Sequence, residues 1–516
     1  MIFSSPEFCF LFLPVVLVVY YILQFQTKAG AAKNWLIAAS LFFYAWWSLT
    51  DTAILSVLLV INYWLTTGII RSKNAGLVGA AKYWRNFGVI LNVIVLIFFK
   101  YLAFILLQLD LPTMSHTLST IALPLGISFF IFQKIAILVD SEAKEIPLPS
   151  FRNFVLFVLF FPQLIAGPIV HHSEMMPQLD RMGARRSRAL DFSVGATQFT
   201  LGLAKKLIIA DGMSGFVTPI FKAADMGVPI TLIEAWGAIL AYGMQIYFDF
   251  SGYSDMALGL ARMFGIRLPV NFYSPYKSST IIEFWRRWHM TLSRFLRDYV
   301  YIPLGGNRLG EPRRYLNLVL TMLIGGLWHG ANWTFLAWGA AHGLALAITH
   351  LFTATRPRVR NTVAKAGGRL GTFLFVMLTW VLFRADSVDS AVRLYRAVAG
   401  LNGLAPARIL GGTLAPLVAA LHLAAGGEFV LSGYEWATVG APRIALALAI
   451  ALAMPNSHQI LHRYRPALFG SFKLLYAGRD YFAWRPTALW LSLTITLFGI
   501  ATLHMSTVSE FLYFKF

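Results

Sequence analysis

The sequence FCFLFLPVVLVVYYILQF, residues 8–25, contains no charged side chain and decides the fold class. A run of this length and composition can cross the hydrocarbon core of a bilayer as one helix. Residues 1–7 lack the basic start and the small-residue cleavage site of a removable signal peptide, so we predict a retained first span. Similar apolar runs recur along the chain, which predicts a polytopic membrane protein.

The composition indicates the same class. The chain has 516 residues, of which 58% are hydrophobic and 13% are charged, whereas a soluble domain has about 25% charged residues. A soluble enzyme, a disordered chain and a disulfide scaffold are thereby excluded. The net charge of +20 resides in basic segments between the apolar runs, which is typical of cytoplasmic loops and not of a nucleic-acid-binding protein. The lone Cys9 excludes an internal disulfide or a cysteine-based metal site, and nothing else indicates a metal.

The chain is predicted to form one integral membrane domain over residues 1–516, with about eleven transmembrane helices plus re-entrant and interfacial helices. Alternation of basic and nearly uncharged loops places the N-terminus outside, and the last span brings the C-terminus to the same side. We see no internal repeat in the sequence, which argues against a transporter built from inverted repeats. The further apolar runs are residues 35–49, 52–70, 86–109, 120–139, 154–170, 192–209, 232–250, 316–336, 338–351, 371–383, 413–425, 444–454 and 486–504.

The run at residues 154–170 departs from the alternation. Basic residues flank it on both sides, and it contains Pro162, Gly167 and Pro168, which interrupt helices. We predict a re-entrant hairpin that enters from the cytoplasm and returns. Irregular backbone at membrane depth is tolerated only where protein or a cavity surrounds it, so the hairpin should line an internal chamber.

Polar and aromatic residues concentrate in residues 247–342. Residues 280–298 are predicted to form one basic amphipathic helix in the membrane interface, with His289 at the border of its apolar face. His289 is therefore either an interface filler or a functional residue. Asp249, at the end of an apolar run and before an FSGYS turn, is expected to form an ion pair with a nearby arginine.

A second candidate site lies in the sequence GGLWHGANWTFLAWGAAH, residues 325–342. An ionisable residue at membrane depth is costly, so His329 is a functional candidate by default. Asn332, three residues on, is expected to share a helical face with His329 and to orient its ring. Trp328 is expected to line the chamber, and His342 is a weaker candidate that could close a hydrogen bond in packing.

Several of these segments resemble the membrane-bound O-acyltransferase family, and more narrowly its bacterial branch that works in polysaccharide acetylation, typified by the alginate O-acetyltransferase membrane subunit. The resemblance covers both ends and the centre of the chain. It is carried by FDFSGYSDMA, FWRRWHMTLSRFLRDY, YIPLGGNR and GGLWHGANWTFLAWG, with FFPQLIAGP at residues 160–168, MIFSSPEF at the start and FLYFKF at the end. It implies a ring of spans around a thinned central chamber, in a bacterial inner membrane.

The resemblance also implies roles for individual residues. His329 would be the catalytic histidine and His289 the second histidine of this branch. The donor would be a cytoplasmic acyl thioester, most simply acetyl-CoA, with no bound cofactor. Arg286, Arg287 and Arg294 would draw the donor to the cytoplasmic mouth. A periplasmic acetyltransferase partner of the SGNH-hydrolase type is implied, because the chain shows no domain that could hold a sugar polymer.

The C-terminal tail, residues 506–516, resembles the short aromatic tail of the companion protein in teichoic-acid D-alanylation. Tyr513 would then be an acyl relay, since a phenol with a pKa near 10 gives an activated ester. The alternative is an aromatic anchor at the membrane interface.

Two other classes of function remain open on the sequence. A transporter or flippase would move an acyl carrier or a lipid-linked sugar without covalent chemistry, and it would tolerate His329→Ala. A scaffold would only recruit enzymes. Within the enzyme class, the acceptor polymer could be alginate, cellulose or peptidoglycan.

Overall fold

A computed structural model describes residues 1–26, 29–119, 123–165, 167–182, 189–355, 362–406, 425–426, 439–468, 482–505 and 512. The regular secondary structure of these residues is helical, apart from a two-residue parallel pairing in which Ala405 lies opposite Ala425 and Pro406 opposite Gly426, and a single bridge between Pro269 and Leu468. The prediction of an all-α polytopic membrane protein is confirmed. The chain divides into two compact units, of which the first comprises Met1–Ala204, Gly252–Asn271 and Ser457–Lys515, and the second Lys205–Ser251, Phe272–Asn456 and Phe516.

The first unit contains several long apolar helices. Its first helix begins as a π-helix at Glu7–Phe12 and continues as Leu13–Phe25, which confirms the predicted first span. The helices that follow are Ala29–Ala45, Leu49–Asn74, Val78–Leu96 with its continuation Leu102–Gln108, Pro112–Ser119, Ile127–Ala143, Phe151–Leu159, Phe161–Leu164, His172–Asp180, Ala189–Ala204, Ser457–Ile460 and Ala488–Thr502.

The second unit carries the candidate site. A π-turn, Lys205–Ala210, and a 3₁₀ turn, Asp211–Met213, precede its first helix. Its helices are Ser214–Asp225, the first part of Leu232–Met263, Ile281–Trp285, Met290–Leu296, Glu311–His329, Trp333–Thr355, Thr362–Arg384, Val388–Val398 and Ala441–Ala453.

Six helices are long and apolar enough to cross a bilayer, among the residues that the structure describes. They are Glu7–Phe25, Leu49–Asn74, Val78–Gln108, Ala189–Asp225, Trp333–Phe352 and Thr362–Arg384, and two shorter apolar helices are Ala441–Ala453 and Ala488–Thr502. The predicted run at residues 413–425 lies almost wholly outside the described residues. The count of about eleven spans and the orientation of the termini stay predictions.

The predicted break within residues 154–170 is present. Helix Phe151–Leu159 ends at Phe160, a short helix follows at Phe161–Leu164, and the described residues from 165 to 171 are not helical. A nine-residue helix is about 13 Å long, much less than the roughly 30 Å of a bilayer core. This segment therefore does not cross a membrane as one helix, and its re-entrant path stays a prediction.

The predicted FSGYS turn is not a turn. Leu232–Met263 runs as one helix of 32 residues through this sequence. In its second half it packs against Ala189–Ala204 so closely that a Cβ on Gly202 would lie 2.5 Å from the carbonyl oxygen of Gly252. Small residues allow helix backbones to approach in this way, and this packing keeps the polar FSGYS sequence helical.

Candidate active site

His329 is the last residue of helix Glu311–His329, in the second unit. The helix ends there because Gly330 has an extended backbone, and a Cβ at Gly330 would collide with the ring of Phe335. The imidazole is buried, with 3% of its surface exposed. At the C-terminus of a helix, the partial negative charge of the last carbonyls stabilises an imidazolium formed during proton transfer.

Aromatic rings enclose the His329 imidazole. The ring centroids of Trp328, Trp338 and Phe383 lie 4.9, 5.2 and 4.9 Å from that of His329. Trp338 and Phe383 meet the imidazole edge to face, at interplanar angles of 89° and 71°. Such a pocket excludes water, which strengthens electrostatic interactions at a reacting group.

His289 lies in a break in the chain, not on a helix. The single helix predicted for residues 280–298 is wrong: Ile281–Trp285 ends, and Met290–Leu296 begins after His289, whose backbone is left-handed with φ 42° and ψ 52°. A non-glycine residue in this region costs about 1–3 kcal/mol and is found mostly where surrounding structure or function requires it.

The interior position of His289 excludes the interface-filler interpretation. Its side chain is fully buried, with the rings of Phe250 and Phe272 at 4.7 and 6.3 Å. Burial lowers the pKa of His289 to about 3, so the imidazole is neutral at pH 7. A neutral imidazole can donate one hydrogen bond and accept another.

Trp328 connects the two histidines. Its ring lies 4.9 Å from that of His329 and 5.9 Å from that of His289, and it is buried. The structure thus brings together the two histidines that the sequence singled out, with one indole in contact with both. The expectation that Trp328 lines a chamber stays a prediction.

Asn332 does not orient His329. The helix ends at His329, so Asn332 lies beyond it and the two residues share no helical face. The side-chain oxygen of Asn332 instead accepts a hydrogen bond from the Thr334 N–H at 3.0 Å, and its amide donates to the Asp386 carbonyl at 2.9 Å. Asn332 therefore caps the helix Trp333–Thr355, which is a typical position for asparagine.

His342 closes a hydrogen bond in packing, as the sequence suggested. Its Nε2 lies 3.0 Å from the Thr379 hydroxyl, and its ring contacts those of Trp338 and Trp285 at 4.7 and 5.3 Å. The residue is fully buried. Thr379 was not identified from the sequence, because a threonine in an apolar helix carries no signal of its own.

Asp249 forms a buried ion pair with a lysine, where the sequence suggested an arginine. Its partner is Lys206, whose Nζ lies 2.8 Å from carboxylate oxygens of both Asp249 and Asp211. The three side chains are nearly inaccessible. The sequence contained a signal for this cluster, because a lysine within the apolar run of residues 192–209 requires a partner.

The three candidate donor-binding arginines differ in exposure. Arg286 is exposed and Arg294 is half-buried. Arg287 is half-buried and donates to Glu283 at 2.6 Å. Burial raises the pKa of Glu283, but the Ser279 N–H and Arg287 outweigh this effect and hold it below its usual range. The role of the three arginines in binding a donor stays a prediction. The proposed relay residue, Tyr513, lies outside the described residues.

The arrangement has the parts needed for proton transfer. No group of three or more His, Cys, Asp or Glu side chains that could hold a metal occurs among the residues described. A histidine next to a second, neutral histidine in a water-poor pocket can act as a general base toward a hydroxyl group.

Comparison with known proteins decides the family. The model of the membrane-bound O-acyltransferase family matches residues 41–388. The chain belongs to the membrane-bound O-acyltransferase family. It is therefore an acyltransferase, and the resemblance noted from its motifs is confirmed.

Curated relatives cover most of the chain. A peptidoglycan O-acetyltransferase of Helicobacter pylori is 43% identical over 433 residues, covering 78% of this chain and 81% of that protein. A protein of Azotobacter vinelandii described as probable alginate O-acetylase AlgI is 42% identical over 406 residues, covering 77% and 78%. A more distant relative, a teichoic acid D-alanyltransferase of Streptococcus thermophilus, is 29% identical over 308 residues, covering 55% and 74%.

Proposed function

We propose that this acyltransferase moves an acetyl group from cytoplasmic acetyl-CoA across the bacterial inner membrane, for O-acetylation of an extracytoplasmic polysaccharide. The observation that carries the proposal is the buried pair of His329 and His289, joined through Trp328. The relatives support the acetyl group and the polysaccharide class, since their names describe O-acetylation of peptidoglycan and of alginate.

His329 acts as the general base in this proposal. Its imidazole takes the proton of an acceptor hydroxyl while the oxygen attacks the thioester carbonyl carbon. The C–S bond breaks, and the thiolate of CoA leaves and takes the proton from the imidazolium. His289, neutral and held behind Trp328, orients the reacting groups.

The acceptor is Tyr513 or a hydroxyl on a periplasmic partner of the SGNH-hydrolase type. A phenyl ester at Tyr513 would keep much of the thioester's transfer potential, because a phenol with a pKa near 10 is a better leaving group than a sugar alcohol. The partner would then pass the acetyl group to the polymer. The exposed Arg286, with Arg287 and Arg294, would attract the phosphates of the donor.

The test is the intact and peptide mass of the purified full-length protein after incubation with acetyl-CoA, together with CoA thiol release. Wild type is compared with His329→Ala, Tyr513→Phe and a control, His504→Ala. His504 is exposed and follows a helix, Ala488–Thr502, and its Nδ1 lies 2.9 Å from the carbonyl of Ile500.

We expect an acetyl adduct on the C-terminal peptide that is lost in His329→Ala and Tyr513→Phe and kept in His504→Ala. CoA release that depends on His329 but not on Tyr513 would keep the acyltransferase and contradict the relay. If neither an adduct nor CoA release occurs, even with a periplasmic partner added, the acetyl-transfer proposal is wrong and transport without covalent chemistry becomes the better hypothesis.

A further inference from the structure

Two buried tryptophan N–H groups adjoin the histidine pocket. Trp285 is the last residue of helix Ile281–Trp285, and Trp338 lies near the start of Trp333–Thr355. Their side chains are 7% and 1% exposed. Neither indole nitrogen has a hydrogen-bond partner within the part of the chain that the structure describes. Buried donors are nearly always paired, so two donors without an acceptor among the described residues are candidates to bind an acceptor atom of a substrate.

The two indole rings contact each other, and that of Trp338 also contacts His329. The indole rings of Trp285 and Trp338 meet edge to face, at 5.7 Å between centroids and 69° between planes. Trp338 also stands at 89° to the His329 ring, with centroids 5.2 Å apart. An oxygen atom that accepts from both N–H groups would lie about 2.9 Å from each indole nitrogen.

Another tryptophan of this cluster differs in its hydrogen bonding. Trp380 stacks on Trp338 at 6.1 Å and 18°, but its Nε1–H donates to the Tyr276 hydroxyl at 3.2 Å. Burial in an aromatic cluster therefore does not by itself leave an indole donor open. Trp285 and Trp338 both contact the ring of His342, at 5.3 and 4.7 Å between centroids.

We propose that the N–H groups of Trp285 and Trp338 form the oxyanion hole of the acyl transfer. This rests on the proposed function, in which an acceptor hydroxyl attacks a thioester. As the acceptor oxygen bonds to the carbonyl carbon, the C=O π pair moves onto the carbonyl oxygen, which the two N–H groups then stabilise. The pair returns when the C–S bond breaks, and the thiolate leaves with the proton that His329 removed.

His342 makes Trp338 a rigid donor. The His342 ring packs against Trp338 at 4.7 Å and is held by Thr379 through the 3.0 Å hydrogen bond. Donors that are fixed before the reaction stabilise a developing charge without a reorganisation cost. This assigns His342 a function as a positioning residue.

The test removes each donor and keeps the aromatic volume. Trp285→Phe and Trp338→Phe are compared with Trp380→Phe, which removes a paired N–H from the same cluster. CoA release by full-length protein gives kcat and the KM for acetyl-CoA, and the midpoint of thermal unfolding reports stability. We expect kcat to fall about 10²-fold in each donor variant, with KM within threefold of wild type and with Trp380→Phe retaining kcat within threefold.

A second measurement does not depend on the tryptophan variants folding. The infrared stretch of ¹³C-labelled acetyl-CoA bound to His329→Ala protein, with both tryptophans present, should shift to lower wavenumber than in free acetyl-CoA. Donor variants with the kcat of Trp380→Phe, or a carbonyl stretch equal to that of the free thioester, would overturn the oxyanion hole. Failure of the proposed function itself is distinct, because wild type would then show no CoA release that depends on His329.

Discussion

Replacement of Gly343 by alanine should displace the helix that carries His329. Gly343 lies on Trp333–Thr355 where this helix packs against Glu311–His329, and a Cβ there would be 2.8 Å from the Cα of Val319. Carbon atoms in contact prefer about 3.5–4.0 Å. The neighbouring atom belongs to the backbone, so the two helices must separate locally by about 0.7–1.2 Å.

Two opposing terms set the effect of Gly343→Ala on stability. Overpacking costs about 1–3 kcal/mol, and alanine in place of glycine inside a helix returns about 0.5–1 kcal/mol. We expect a net loss of about 1–2 kcal/mol in the free energy of unfolding. The effect on catalysis is larger, because a displacement of about 1 Å at a catalytic group can cost about 10²-fold in rate.

The assay measures CoA release and the thermal unfolding midpoint of the purified variant. Gly371→Ala is the control, since Gly371 also lies inside a helix, Thr362–Arg384, and a Cβ there meets no atom within 4 Å. The control should keep full activity and gain about 0.4–1 kcal/mol in stability. If Gly343→Ala behaves like this control in both measurements, close approach of the two helices does not position His329.

Three further predictions follow from the described contacts. Lys206→Met should destabilise the protein by about 3–5 kcal/mol and more than Asp249→Asn does, because only the former leaves two buried carboxylates without their cation; equal unfolding midpoints would contradict the ion cluster. Asn332→Ala should lose about 1 kcal/mol of stability because the helix cap is lost, whereas Asn332→Asp should keep the cap and the stability. A drop in kcat of Asn332→Ala at unchanged stability would instead support the role of Asn332 in orienting His329. Burial lowers the pKa of His172 from 6.5 to about 4, so the unfolded chain binds more protons between these values and stability falls as the pH drops through this window; His172→Gln should flatten the midpoint of unfolding against pH, and an unchanged profile would contradict it.

The fold class follows from the sequence because apolar runs of about 20 residues have one common explanation. The first span was placed within one residue at its start. A break within residues 154–170 was expected from Pro162, Gly167 and Pro168, and the helix ends just before them, at Phe160. The continuous helix Leu232–Met263 was not expected, because the polar FSGYS sequence favours a turn by local preference. Close packing of glycine faces overrides that preference. The packing partner is the helix Ala189–Ala204, and the sequence alone does not show that the two segments are in contact.

The candidate site was predictable in its residues but not in its geometry. His329 stands out because imidazoles are rare within apolar segments, whereas His289 stands out through the resemblance to the family. Asn332 was misplaced because the spacing of three residues assumes a continuous helix, and Gly330 ends it. Trp285 and Trp338 carry no signal in the sequence, since tryptophan is common near membrane interfaces. Their N–H groups have no hydrogen-bond acceptor among the described residues, and this is a property of the folded chain.

Both histidines stand at interruptions of the helical backbone, and this placement has a physical reason. Within a helix, the side-chain direction follows from the position along the 3.6-residue repeat, so a polar group can turn inward only on the packed face. At an interruption the backbone itself turns. The extended Gly330 follows His329, and the left-handed conformation of His289 directs its ring against Phe250, although residues 286 and 287 remain accessible. The strain of a left-handed histidine is thus the cost of bringing two imidazoles to one indole, Trp328.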